Sequence, residues 1–280
     1  MLKNGRIRLI CPVRACGAPL ARAAAAILCS AGHSFDVARS GYANLLQPQD
    51  SRSRDPGDAR DAVAARRRMV DRGFADGLAR RIGALLDERG IGADASLLDA
   101  GCGEGFHLAD ACARLGANGC GVDISTPAIE IAAKRHRSLV WVVANADRVI
   151  PLANGSIDAV LSITARINRD EFARILRPGG LVLVAVAAND DLAELRDIVL
   201  GESVERDRGT RAVTSLEPRF ALESRERYAE SLELDRAALG DLLASTYRGQ
   251  RHSQRDALEA VERLRVTSSR ELLLLRRFEH

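Results

Sequence analysis

Leu98-Asp99-Ala100-Gly101-Cys102-Gly103-Glu104-Gly105 is the stretch on which the fold turns. Leu97–Asp99 reads as a short apolar strand closed by a carboxylate, the glycines as the turn that leaves it, and the residues from Phe106 onward as a helix. Glycine has no Cβ, so the backbone there can pass close to a bound ligand. The spacing is G-x-G-x-G, distinct from the G-x-G-x-x-G that seats a pyrophosphate on a helix N-terminus. Eighteen residues beyond Gly105, Gly121-Val122-Asp123 ends a second strand on another carboxylate, suited to accept both hydroxyls of a ribose. Nicotinamide dinucleotides are held by a similar carboxylate, so Asp123 alone does not separate cofactor classes.

Working outward, short apolar runs alternate with helical pattern. Strands are expected at Leu97–Asp99, Gly119–Asp123, Val140–Val143, Ala159–Ile163 and Leu181–Val186, with helices between them. Such βαβ repetition predicts an α/β fold, with a mainly parallel, doubly wound sheet, right-handed crossovers and helices on both faces. Upstream, helical pattern covers Asp58 to Arg68 and resumes over Ala75–Arg89, where Leu78, Ile82, Leu85 and Leu86 form one apolar face. Downstream of Leu200 the pattern predicts an extended stretch at Arg227–Leu232 and helices at Asp235–Ser245 and Gln254–Leu264. A last strand at Glu271–Phe278 would complete the sheet.

At 280 residues and 46% hydrophobic content the chain can bury a full α/β core plus a smaller module, which excludes a disordered protein. No apolar run approaches the roughly 20 residues that span a bilayer, and Met1–Ile10 lacks the apolar stretch of a signal peptide. A cytoplasmic protein with no membrane partner is expected, and six cysteines there argue against a disulfide framework. The net charge of +3 hides an asymmetry: residues 1–81 carry 15 Lys/Arg against 7 Asp/Glu, and the remainder is acidic. A basic excess of that kind suits a polyphosphate partner, because each Arg that neutralises a phosphate releases counterions. It is also what a solvated face would show.

The early cysteines are spaced as a metal site. Cys11-x4-Cys16, twelve intervening residues, then Cys29-x3-His33 offers three thiolates and one imidazole in two chelating pairs. Zinc takes that donor set tetrahedrally, and four protein ligands leave no open position, so a structural zinc is expected. Residues 10 to about 40 lack helical periodicity, as in a ribbon whose metal substitutes for a core. Gln47–Gly57, polar and carrying Pro48 and Pro56, reads as a linker. The expected organisation is a zinc module over 1–46, a linker and connecting helix over 47–75, and a catalytic domain over 76–280. Cys102, Cys112 and Cys120 read as ordinary small or core residues, and no nucleophile-and-base pattern accompanies them.

The order of landmarks resembles that of class I methyltransferases, which are Rossmann-like: the glycine turn, Asp123, Ala144-Asn145-Ala146-Asp147, Ile150-Pro151-Leu152, Ser156-Ile157-Asp158-Ala159-Val160 and Leu176-Arg177-Pro178-Gly179-Gly180. The segment from Cys29 to Leu46 (CSAGHSFDVARSGYANLL), followed by Arg52–Asp58 (RSRDPGD) and Ala65-Arg66-Arg67, is similar to the zinc module and following block of bacterial 23S ribosomal RNA guanine-N1 methyltransferases. The resemblance covers about residues 10–200. It implies S-adenosyl-L-methionine as cofactor, N1 of a guanine in a 23S rRNA hairpin as target, a zinc module that helps bind RNA, and a homodimer. The cofactor residues it implies are Phe74, Asp99, Gly101, Gly103, Gly105, Phe106, Asp123, Ile124, Asn145, Ala146 and Asp191. Charge and position nominate Arg52, Arg54, Arg66, Arg67 and Arg68 for RNA.

Departures from the family pattern bear on the target. A Tyr-Ala-Pro type segment is replaced by Ile163-Thr164-Ala165-Arg166, a Pro-x-His-Leu by Asn189-Asp190-Asp191-Leu192, and a Met-Thr-Pro stretch by Ser245-Thr246-Tyr247. Attack by guanine N1 requires loss of its proton. Thr164, Asn168 and Asp191 are the polar residues expected at the ends of the relevant strands, with no base assigned among them. A small-molecule methyltransferase, and a zinc-dependent RNA-binding protein with an inactive methyltransferase fold, stay open as alternatives.

Overall fold

The computed structural model describes residues 6–23, 26–50, 56–200, 207–245, 258 and 260–279. A three-stranded antiparallel ribbon comes first, built from β1 (Leu20–Ala23), β2 (Ala26–Cys29) and β3 (Ser34–Asp36). The chain then runs through β4 (Ala43–Asn44), α1 (Arg60–Asp71), α2 (Asp76–Asp87), β5 (Ser96–Ala100), α3 (Phe106–Leu115), β6 (Asn118–Asp123), α4 (Thr126–Arg135) and β7 (Val140–Val143). It continues with β8 (Ile157–Ile163), α5 (Arg169–Ile175), β9 (Leu176–Ala187), α6 (Ala193–Leu200), α7 (Arg208–Leu216), β10 (Phe220–Asp235), α8 (Arg236–Ser245) and β11 (Arg263–Arg277).

The large sheet has the order β10-β11-β9-β8-β5-β6-β7-β4. Its strands from β4 to β9 are parallel to their neighbours, and β11 joins β9 antiparallel before pairing with β10. The order reverses between β5 and β8, and the crevice beyond the carboxyl ends of the strands at such a reversal is where open α/β sheets bind ligands. Strand β7, Val-Trp-Val-Val, is buried on both faces, as a parallel strand with helices on each side must be.

Side-chain alternation splits the core into two layers. Leu98, Val122, Val182 and Leu273 face one layer, shared with α5, α7 and the N-terminal residues Ile7, Leu9, Ile27 and Leu45. Leu97, Leu161, Leu183 and Leu274 face the other, shared with α2, α3 and α4. A third cluster joins α1 and α8 through Met69, Leu239, Leu242 and Leu243 and takes in Leu195, Leu234 and Val266.

Two sequence expectations change here. The described residues of the expected helix Gln254–Leu264 are not helical: Leu258 and Ala260 lie in turns, and Arg263 and Leu264 already belong to β11, where Leu264 pairs with Leu234. Long-range pairing with β10 overrides local helical pattern, and it also extends the final strand eight residues upstream of Glu271. Residues 43 and 44, read with the zinc module, form the eighth strand of the large sheet beside Val142 and Val143. Ile10 N–H donates to the Pro151 carbonyl (3.0 Å) and Ala153 N–H to that of Arg8 (2.9 Å), so the module is fastened to the catalytic unit by backbone as well as by core.

Candidate metal centre and cofactor cleft

The ribbon brings Cys11, Cys16, Cys29 and His33 together, with their ligand atoms within 4.8 Å of one another. Cys16 Sγ lies 3.8 Å from Cys29 Sγ, and His33 Nδ1 lies 3.3 Å from Cys29 Sγ and 3.5 Å from Cys11 Sγ. A tetrahedron with zinc–sulfur arms of about 2.3 Å has edges of about 3.8 Å, so these separations are those of a metal's donor shell. The turns are local: Gly32 N–H donates to the Cys29 carbonyl at 3.0 Å and Cys16 N–H to that of Val13 at 2.9 Å. The wide first pair is closed with Ala15 in the left-handed region at φ 62°. The donor set fits a structural zinc.

In the cleft, the glycine turn leaves β5 with Gly101, Gly103 and Gly105 all at positive φ. Each fills a different need. A Cβ on Gly105 would stand 2.2 Å from the Trp141 ring, a buried side chain that fills the space beneath the turn. A Cβ on Gly103 would meet nothing nearer than Arg66 Nη1 at 3.6 Å, so here the backbone is open to a ligand. Gly101 backs onto Ala165.

Three acids converge on this turn. Asp99 is 2% exposed and its Oδ1 has no hydrogen-bond partner among the described residues. Burial, with Asp123 and Glu104 adding to it, pushes the Asp99 carboxyl up to about 8. Burial likewise raises Glu104, against the opposing pull of Arg66 and Arg67. Asp123, also raised by burial, accepts from Gly103 N–H (2.9 Å) and Ser125 N–H (2.8 Å). An acidic, partly unsatisfied cleft around an open backbone turn suits a ligand carrying positive charge and a ribose, and S-adenosyl-L-methionine has both.

The connecting segment docks beside this acid. Gly57 packs against Ser125, whose Oγ donates to the Asp58 carbonyl at 3.0 Å. Arg66 pairs with Asp58 at 2.7 Å and donates to the Ser245 carbonyl at 3.2 Å. Arg67 pairs with Asp71, and Arg68 donates through Nε (2.9 Å) and Nη2 (2.6 Å) to Asp241, which also holds Arg72. All three arginines nominated from this helix thus have carboxylate partners within the chain, while Arg52 and Arg54 lie outside the described residues.

The remaining sequence candidates lie on several elements. Phe74 packs against the α1–α8 cluster, and Phe106 opens α3 with its ring edge-on to His107 at 5.5 Å. Ile124 follows Asp123 and is partly buried. Asn145 Oδ1 accepts from Asp147 N–H at 3.0 Å, and the Ala146 carbonyl accepts from Asn168 Nδ2 at 2.9 Å. Asn168 also caps α5, so its side chain ties that helix to the loop after β7. Asp191 follows β9, accepts from Ser269 N–H at 3.0 Å and pairs with Arg270. Thr164 is exposed at the end of β8 with φ 51°. Trp141, His107 and Arg270 were not singled out from sequence. The first is the chain's one tryptophan, a cue that was present; the other two carry no local signal.

A family profile described as a methyltransferase domain matches residues 98–184, and one described as "RlmA, N-terminal" matches residues 9–54. The chain is 37% identical over 246 residues to the 23S rRNA (guanine(748)-N(1))-methyltransferase of Streptomyces fradiae, covering 87% of this chain and 86% of that one. It is 34% identical to YxjB of Bacillus subtilis (strain 168), which bears a 23S rRNA (guanine-N(1)-)-methyltransferase name provisionally, over 77% of each. Among solved structures, a chain of the Haloferax volcanii complex containing the Trm112 methyltransferase activator matches with a TM-score of 0.52 at 21% identity. It covers 80% of this chain and 100% of that one, a likeness of fold. No helix among the described residues is long and apolar enough to cross a membrane. With the zinc ligands assembled and the glycine turn built onto the fold of class I methyltransferases, the chain belongs to the family of 23S rRNA (guanine-N1) methyltransferases.

Proposed function

We propose that this protein transfers the methyl group of S-adenosyl-L-methionine to N1 of a guanine in a 23S rRNA hairpin, in the cytoplasm and as a homodimer. The observation that carries this reading is the continuity of the match to the Streptomyces fradiae enzyme across zinc module and catalytic unit alike. The cofactor supplies an electrophilic methyl on a sulfonium. The chain's part is to hold it, align the attacking nitrogen and keep water out. Gly103 offers backbone, Asp123 offers carboxylate oxygens as the ribose acceptor, and Asp99 supplies a buried acceptor. Asn168 is committed to holding the loop at Ala146, which leaves Thr164 as the exposed polar side chain where β8 meets the cleft.

The zinc is structural in this reading, since its four protein ligands fill a tetrahedron. The test is transfer of labelled methyl to total RNA from a strain lacking the enzyme, followed by mapping of the modified nucleotide. The expected product is N1-methylguanosine in 23S rRNA, and the position named for the Streptomyces fradiae relative is the first to map. Label appearing in a small-molecule fraction and not in RNA would overturn the assignment.

A further inference from the structure

The loops after β7 and β8 are joined by an ion pair that the cofactor contacts above do not use. Arg166 Nη1, in the loop after β8, donates to Asp147 Oδ2, in the loop after β7, at 3.1 Å. In the sheet β8 and β7 are separated by β5 and β6, so the pair bridges the two strand ends that carry the glycine turn and Asp123. Both of its loops are fixed to that site. Ala165, next to Arg166, is the residue against Gly101, and Ala144, three residues before Asp147, donates its N–H to the Asp123 carbonyl at 3.0 Å. Asn168 Nδ2 adds a second bridge to the Ala146 carbonyl at 2.9 Å.

The two core layers say on which side this bridge lies. The glycine turn leads into α3, which packs in the layer shared with α2 and α4, whereas Ala146 and Ile167 pack in the other layer, together with Leu9, Ile27, Phe35 and Val37 of the zinc module. The loop after β7 runs on to Pro151 and Leu152, of which the first accepts from Ile10 N–H and the second bridges to Leu9. Arg166 therefore stands where the cleft meets the module. Its side chain is 85% exposed, more than that of any other cation in the described ion pairs, and its Nε and Nη2 have no partner among the described residues. An exposed pair made through one hydrogen bond stabilises little, so this guanidinium exchanges Asp147 for a stronger anion at small cost. A phosphate is such an anion, because it accepts two parallel N–H bonds from one guanidinium. The arginines of α1 differ: Arg68 shares with Arg72 a carboxylate, Asp241, whose side chain is 12% exposed.

We propose that Arg166 binds the RNA backbone phosphate beside the target guanine as that base enters the cleft, and that Asp147 is the positioning residue that holds the guanidinium in place until RNA arrives. This rests on the function proposed above and adds the residue that carries the substrate's backbone from the zinc module to the reaction site. The contact orients the RNA and reads no sequence, as phosphate contacts do. Arg166 lies in the segment Ile163–Arg166 that departs from the family pattern, so the contact is a property of this chain.

The test uses the full-length zinc-loaded protein with 23S rRNA from a strain lacking the enzyme, and S-adenosylhomocysteine as the cofactor-site probe. Arg166→Gln should weaken rRNA binding about tenfold, the scale of one charge-assisted contact, and leave S-adenosylhomocysteine affinity unchanged. The slope of log rRNA affinity against log salt concentration should flatten by a little under one unit. Arg166→Lys keeps the charge without the two-pronged geometry, so it should restore the slope and only part of the affinity. Asp147→Asn should act in the opposite direction, tightening rRNA binding by up to about fivefold, and that gain should shrink in the Arg166→Gln background. An unchanged slope in folded Arg166→Gln, or a loss of S-adenosylhomocysteine affinity as large as the loss for rRNA, overturns the assignment. If the wild type neither binds nor methylates the rRNA, the function proposed above falls; if it does both and Arg166→Gln matches it, only the phosphate contact does.

Discussion

The metal centre and the cofactor cleft are built at opposite ranges. At the metal centre, four ligand atoms contributed by residues 11 to 33 lie within 4.8 Å of one another, each pair brought in by its own short turn. In the catalytic unit, Asp99, His107 and Arg270 come from a strand end, a helix start and the last strand, and each keeps a polar atom without a partner among the described residues. A site made locally needs only its ion to be complete. One assembled from distant elements can be held in register by the sheet while its polar atoms wait for a ligand, because the surrounding core supplies the stability.

The largest effect should come from breaking the local site. Purified protein is expected to carry about one zinc per chain, and chelation or Cys16→Ser should lower the thermal midpoint by on the order of 10 °C. Ile27 and Leu45 share a core cluster with Leu98 and Val122, so the loss should register in the unfolding of the catalytic unit as well as the ribbon. Metal analysis that finds no zinc, or a midpoint indifferent to chelation, would break the comparison at its first term.

Next in size is a contrast within the glycine turn. Gly105→Ala forces a Cβ to 2.2 Å from Trp141 at φ 81°, and overpacking plus backbone strain should cost roughly 3 kcal/mol or more. Gly103→Ala meets only Arg66 at 3.6 Å and should cost roughly 1 kcal/mol, from backbone strain, while weakening cofactor binding. Denaturant melts and cofactor titrations on the pair separate the two roles, and equal losses of stability would show that Trp141 is not what the turn rests on.

The same contrast explains what could be read from the sequence. The zinc ligands and the glycine turn are contiguous patterns, each residue type following from donor chemistry or turn geometry, and the five central strands announce themselves by short apolar runs. The far end of the chain does not. The long antiparallel pair β10–β11 sets Leu264 beside Leu234 and Arg270 beside Tyr228, and nothing near Gln254 distinguishes a strand completed thirty residues away from an amphipathic helix. Helix α7 is amphipathic and N-capped by Asp207, so its signal lies within its own residues. Pairing partners such as Asp241 for Arg68 are tertiary facts; spacing along α1 offers only the nearer carboxylates.

A third effect, of intermediate size, is electrostatic. In the unfolded chain Asp99 ionises near its ordinary pKa of about 4, whereas in the fold burial holds it protonated to about 8. Between those values the folded state binds more protons than the unfolded one, so this residue makes stability fall as pH rises through the window. Asp99→Asn should remove that decline, making the variant gain on the wild type from pH 5 to pH 8 in denaturant midpoint. Parallel profiles would place the cleft's unsatisfied acid elsewhere.

The smallest effect bears on which region meets RNA. Each phosphate contact contributes a little under one unit to the slope of log affinity against log salt concentration, so the slope counts contacts. Arg68 donates twice to Asp241, and Arg67 pairs with Asp71 with its side chain 13% exposed, so each guanidinium would have to give up a carboxylate to meet a phosphate. Arg14 and Arg39, on the zinc module, are exposed and have no carboxylate partner among the described residues. If the module carries the electrostatic footprint, Arg14→Ala/Arg39→Ala should flatten the slope by between one and two units, and Arg68→Ala should leave it unchanged. Cofactor affinity should hold in the double variant, since neither residue lies near the glycine turn in sequence or sheet. A flattened slope for Arg68→Ala with an intact one for the double variant would move the RNA surface from the module to the connecting helix, as the basic run at Arg66–Arg68 first suggests.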